Sequence, residues 1–150
     1  MSLISKIKSA VEYIQNKRGE PYFRYGDLME VEGEVAALNA VLSGQHKKYP
    51  FVYMNTDFEH FYDSENKWYD GDLDLWIINR SIIPESAKDR EANELPLLRT
   101  IKDSLKRAVE INVGHFDSDI PRELFFNKNE TELDSPVNVI RLRLQGLKYC

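Results

Sequence analysis

Between Leu73 and Ile78 the chain reads Leu73-Asp74-Leu75-Trp76-Ile77-Ile78. Side chains of an extended chain alternate in direction, so Leu73, Leu75 and Ile77 share one face and Asp74, Trp76 and Ile78 the other. This pattern predicts a strand from about Trp68 to Asn79. Upstream, Phe51-Val52-Tyr53-Met54-Asn55-Thr56-Asp57-Phe58 is rich in aromatic and β-branched residues and reads as a second strand, entered through the turn Lys47-Lys48-Tyr49-Pro50. Ser64-Glu65-Asn66-Lys67 reads as the hairpin turn between the two, without the Asn-Gly signature of the tightest hairpins.

The flanks add helices. Leu3, Ile4, Ile7, Ala10, Val11 and Ile14 recur at helical spacing. With Ser2 as N-cap and Gly19 as stop, they predict an amphipathic helix over 2–17 that packs on a sheet. Tyr22-Phe23-Arg24-Tyr25 is short and extended, with Tyr22 and Arg24 alternating against Phe23 and Tyr25 and Gly26-Asp27 ending it. A second helical pattern covers 30–43, carried by Val31, Val35, Leu38 and Leu42 and stopped by Gly44. After Pro84 and a polar stretch over 85–95, Pro96 stands before another clean stripe of Leu97, Leu98, Ile101, Leu105, Ala108 and Val109. Proline there fits the first helical turn or a kink between two helices. Residues 112–136 read as a long connection with weak strand character at Leu124-Phe125-Phe126. The closing stretch from Val137 to Leu147 reads as a strand with Ile140, Leu142 and Leu144 on one face, Arg141 and Arg143 on the other, and Gly146 at a bulge. Strands and helices do not alternate regularly. The expected fold is therefore α+β: one domain over 1–150, with a mostly antiparallel or mixed sheet and amphipathic helices on one face.

Composition narrows the function classes. The 150 residues include 42% hydrophobic and 30% charged residues, a globular composition, with a formal net charge of −5. The single Cys excludes an intrachain disulfide and a thiolate metal cage, and an intracellular, reducing compartment fits. The longest run without Asp, Glu, Lys or Arg, from Val35 to His46, is shorter than the ~18 apolar residues of a membrane span. Lys6, Lys8 and Glu12 interrupt any signal-peptide apolar region. The basic doublets Lys17-Arg18, Lys47-Lys48 and Lys106-Arg107 make no stripe, so specific nucleic-acid binding is not expected.

Catalytic signatures are missing or incomplete. Asp57, Glu59, Asp63, Glu65, Asp70, Asp72 and Asp74 form an acidic run offset only by Lys67. Asp72 and Asp74 fall on one strand face, the placement that holds Mg²⁺ in nucleotidyltransferases. The Gly-Ser helix start that would carry nucleotide phosphates is replaced here by Phe58-Glu59-His60-Phe61-Tyr62. A nuclease built on Asp57, Asp72 and Asp74 would also need a lysine placed to orient water, and none stands there. His46, His60 and His115 are too far apart for a paired metal motif, and the isolated glycines form neither a nucleophile elbow nor a phosphate loop. One asymmetry remains. From Val137 to Cys150 there are Arg141, Arg143 and Lys148 and no acids. An acidic hairpin and a basic closing strand can meet across a subunit interface, with Asp57, Glu59, Asp72 and Asp74 facing Arg141 and Arg143, or can pair within one sheet.

In order and texture, the chain resembles the small tail-terminator and head–tail joining proteins of tailed bacteriophages and prophages. The likeness rests on the opening helix from Leu3 to Ile14, on Tyr22-Phe23-Arg24-Tyr25-Gly26-Asp27, and on Lys48-Tyr49-Pro50-Phe51-Val52 entering a strand that ends Asp57-Phe58-Glu59. It continues through Asp74-Leu75-Trp76-Ile77-Ile78-Asn79, a Pro-Glu turn, an Asp-Arg-Glu helix start, a proline break and the closing strand. The resemblance implies a non-enzymatic virion assembly protein without catalytic residue, cofactor or metal. Such proteins form a ring, commonly of six copies, that caps the tail tube and offers a surface to the head. The implied partners are copies of the chain itself, the tail-tube protein and a head connector, in the bacterial cytoplasm and then in the virion. The rival readings are a metal-dependent enzyme using Asp57, Asp72 and Asp74, and a small cytoplasmic binding module.

Overall fold

The computed structural model describes residues 3–18, 21–26, 50–56, 60–63, 68–80, 88, 91–92, 95–126 and 137–149. The elements are α1 (Leu3–Arg18), β1 (Tyr22–Gly26), β2 (Phe51–Asn55), β3 (His60–Asp63), β4 (Trp68–Arg80), α2 (Leu95–Asn112), β5 (Ser118–Phe126) and β6 (Val137–Tyr149). The strands form one mixed sheet in the order β1-β2-β4-β6-β5, with β3 paired to β4 off this path. Only β1 and β2 run parallel; the other pairs are antiparallel. The fold is α+β.

Two long strands, β4 and β6, make the middle of the sheet, and the sequence alternation decides which face each residue takes. Leu75 stands opposite both Met54 and Leu142, and Ile77 opposite both Val52 and Ile140. These side chains point to one face and are fully buried there. α1 and α2 pack on that face and against each other, filling one core through Ile7, Ala10, Val11 and Ile14 from the first helix and Leu98, Ile101, Leu105, Ala108 and Val109 from the second. Burying each such aliphatic side chain contributes roughly 1.5–3 kcal/mol, and this fixes the register, since a one-residue slip would send the apolar set to the other face. The apolar stripes thus place both helices on one face, as their spacing predicts. Pro96 is the second residue of α2, inside the first turn, where its missing N–H costs nothing.

The closing strand carries the expected bulge. Gly71 pairs with Leu147 and Leu73 with Leu144, so β6 has one residue more than β4 across this interval. Gly146 lies there with φ 67°, a conformation that favours glycine. The Asp72 carboxylate accepts its N–H at 3.1 Å, and a Cβ at this position would run into the Asp117 carboxylate.

Three expectations need correction. The connection over 112–136 is shorter than expected, because α2 ends at Asn112 and the whole of Ser118–Phe126 is a strand. From Asp119 to Glu123 its helix-facing positions are Asp119, Pro121 and Glu123, opposite Leu144, Leu142 and Ile140, so no apolar alternation betrays that stretch. Proline and charge are what an edge strand tolerates. The strand that pairs with the beginning of β4 is β3, not β2; β2 pairs with the later half of β4. The strand expected over Phe51 to Phe58 ends at Asn55. The helix expected over 30–43 and the turn at 64–67 lie outside the described residues.

Candidate functional site

The sheet face away from α1 and α2 carries the charged residues singled out in the sequence. Exposure on this face rises from β2 across the sheet to β5, and β1 at the opposite edge presents the half-buried Tyr22 and Arg24. Phe51 and Tyr53 of β2, Ile78 of β4 and Val139 of β6 are fully buried, and Trp76 is nearly so. Arg141 of β6 is half-buried, while Arg143 and, on β5, Ile120 and Arg122 are exposed.

A carboxylate sits where that gradient begins. Asp74 is buried, and its oxygens accept three hydrogen bonds from Arg141: Nε to Oδ1 at 2.9 Å, Nε to Oδ2 at 3.2 Å and Nη2 to Oδ2 at 2.7 Å. The Asn55 side-chain amide donates to Oδ2 at 3.1 Å. The guanidinium lies over the Trp76 ring, 4.9 Å from its centroid. Burial alone would push the Asp74 carboxyl up. The hydrogen bonds from Arg141 and Asn55, the Arg141 charge and the Trp76 indole outweigh it and hold the carboxyl below its ordinary range. The result is a locked ion pair: planar fork on carboxylate, stacked on an indole.

This lock solves a problem in the register. Arg122 stands directly opposite Arg141, and Arg143 lies two residues along the same strand face. Like charges placed so repel. Asp74 absorbs the charge of Arg141 from the other side, so the repulsion is reduced. Arg122 and Arg143 form no ion pair among the described residues. With Ile120, which stands opposite Arg143, they make a basic, partly apolar patch on a chain whose net charge is −5.

Of the six residues proposed for a subunit interface, Asp74 and Arg141 therefore meet each other within one chain, because β4 and β6 are neighbours. Asp72 is exposed and holds the Gly146 bulge. Arg143 is exposed, and Asp57 and Glu59 lie outside the described residues. Alternation alone puts Asp72 and Asp74 on one strand face, but the chain gives them separate tasks at bulge and ion pair. Sequence reasoning missed Arg122 because β5 was read as connection; the signal available was Ile120-x-Arg122 at strand spacing. The pairing of Trp76 with Arg141 was also missed, although both were placed on strands.

The chain matches no protein-family model and no curated protein. Among the described residues no helix is long and apolar enough to cross a membrane.

Proposed function

We propose that this chain is a non-enzymatic assembly protein of a tailed phage or prophage, a ring-forming tail terminator or head–tail joining protein. It acts in the bacterial cytoplasm and then in the virion. Its partners are further copies of itself, the tail-tube protein and a head connector.

The observation that carries this reading is the exposed sheet face with Arg122, Arg143 and Ile120 together, two cations that form no ion pair among the described residues, beside an apolar side chain. Arginine beside apolar surface is the chemistry of a protein contact. The excess of acidic residues over the whole chain makes a second copy a fitting counterpart. A contact between two different faces of identical chains is heterologous, and it closes into a ring when the rotation allows. The state of Asp74 supports a scaffold over a metal enzyme: both its oxygens already accept from a guanidinium, which would repel a cation.

Sedimentation velocity over a range of concentrations, with electron microscopy of the same samples and of samples mixed with purified tail tubes, tests the reading. Monomer or mixed species in dilute solution and rings at high concentration or on tube ends are expected. A chain that stays monomeric at every concentration and ignores tube ends overturns it.

A further inference from the structure

The end of α2 is held in place by its own backbone. The Val109 carbonyl accepts from Val113 N–H at 2.9 Å and from Gly114 N–H at 3.0 Å, and the Asn112 side-chain amide donates to the Ala108 carbonyl at 2.9 Å. Beyond the helix, Phe116 is buried in the core, and the chain is tied to β6 on both sides of it. Lys148 N–H donates to the His115 carbonyl at 2.8 Å, and Asp117 N–H donates to the Gln145 carbonyl at 2.9 Å. Between the helix end and β6 lies a groove of about 500 Å³, whose lining includes Glu110, Ile111, Val113, His115 and Lys148. That volume falls in the range of small-molecule sites, and the backbone bonds around it make its shape largely preformed.

The walls of the groove differ in chemistry. On the helix side stands Ile111, 66% exposed and the most exposed large apolar side chain among the described residues. Beside it Val113 is half-buried and packs against the core. A lone isoleucine on a convex surface is ordinary; this one walls a concavity. Glu110 adds a carboxylate to the same end of the helix. On the strand side His115 and Lys148 face each other across an isolated bridge. In the ladder Lys148 also stands opposite Asp70 of β4, on the side away from His115. Glu110, His115 and Lys148 are exposed and form no ion pair among the described residues. The groove thus presents an unpaired acid and an unpaired base on two sides of an aliphatic surface.

We propose that this groove binds a free aliphatic amino acid. The ligand ammonium lies toward Glu110 and the carboxyl-terminal end of α2, where the helix dipole favours a cation. Its carboxylate lies toward Lys148 and His115, and its side chain against Ile111 and Val113. A simple anion meets Glu110 and the negative helix end, and a simple cation meets Lys148; a zwitterion answers both walls. Exposed ion pairs contribute little each, so the affinity is weak, about 1 mM. The site lies within one chain and does not depend on assembly.

Titration of the full chain with L-leucine, followed by amide NMR shifts and by calorimetry, tests this. Shifts should concentrate at Ile111, Val113, Gly114 and His115. Glycine, which lacks the aliphatic body, should bind at least about tenfold more weakly. N-acetyl-leucine and leucinamide each lack one charge and should bind about fivefold more weakly than leucine. Glu110→Gln should abolish the preference for leucine over N-acetyl-leucine, and Lys148→Gln the preference over leucinamide. Both variants should melt like the parent, because both side chains are exposed. Absence of shifts at these amides at leucine concentrations far above millimolar overturns the proposal. Binding that is indifferent to either ligand charge or to the aliphatic side chain overturns it as well.

Discussion

Arg141 grips Asp74 on the diagonal. In the ladder Arg141 stands opposite Trp76, and Asp74 stands opposite Arg143, yet the bidentate bond joins Arg141 to Asp74 and leaves Arg143 in solvent. The indole explains the choice. The Arg141 fork is drawn across the Trp76 face, and the flat guanidinium then meets the carboxylate edge-on. Arg143 has no aromatic floor opposite it.

Removing one partner of this pair should be costly. The side chains keep 22% and 11% exposure, so the penalty falls below that of a fully buried pair. Asp74→Asn should lower stability by about 2–3 kcal/mol in urea unfolding. Arg141→Met, which keeps the contact with the indole and drops the charge, should cost a similar amount because the buried Asp74 charge then loses its counterion and keeps the Asn55 amide.

The same carboxyl gives a pH dependence with a definite sign. Its folded value lies below the ordinary one of about 3.9, so its stabilisation is fully present above that pH and is lost as pH falls through the folded value. Melting curves from neutrality down to about pH 2.5 should show the deficit of Asp74→Asn shrinking below about pH 4. A deficit that is constant over that range would contradict the assignment.

Gly146→Ala should destabilise by at least about 1–2 kcal/mol, the cost of a left-handed residue with a Cβ. The added methyl also meets the Asp117 carboxylate. Asp117→Gly in the same chain should recover the steric part and leave the conformational part. Thermal melts of the two variants separate the terms.

The helix stripes make a further prediction. Ile7 and Ile101 are fully buried, one from each helix, in a single core. Truncating either to Ala should cost on the order of 2–4 kcal/mol, transfer plus cavity, read as a fall in melting temperature. If Ile7→Ala melts like the parent, α1 does not share that core.

What could be read from the sequence followed hydrophobic period. Leu73-Asp74-Leu75-Trp76-Ile77 and Ile140-Arg141-Leu142-Arg143-Leu144 alternate, and both became central strands with the faces their spacing assigns. The stripes of α1 and α2 were equally plain, and Gly146 marked its bulge. β5 was hidden because an edge strand answers to a helix by charge; Asp119, Pro121 and Glu123 resemble loop residues until Arg99 and Lys106 stand above them. The site was half legible. Charge asymmetry picked out Asp74, Arg141 and Arg143, but composition has no register, and only strand order could show that Asp74 and Arg141 are satisfied within one chain.

That distinction decides how the assembly is tested. Reversing Arg141 would place two carboxylates together under Trp76 and damage the fold, so any loss of rings would be uninformative. Arg122 and Arg143 are exposed and outside the lock. Arg122→Glu/Arg143→Glu should change stability by no more than about 0.5 kcal/mol per site. If this face joins copies, the double variant should stay monomeric at concentrations where the parent forms rings, and fail to cap tube ends. Each exposed ion pair contributes only about 0–1 kcal/mol, so the parent ring should loosen in high salt and be reinforced by the tube. Sedimentation of parent and variant at low and high salt reads both effects. Rings that form equally well from the double variant would show that copies meet elsewhere.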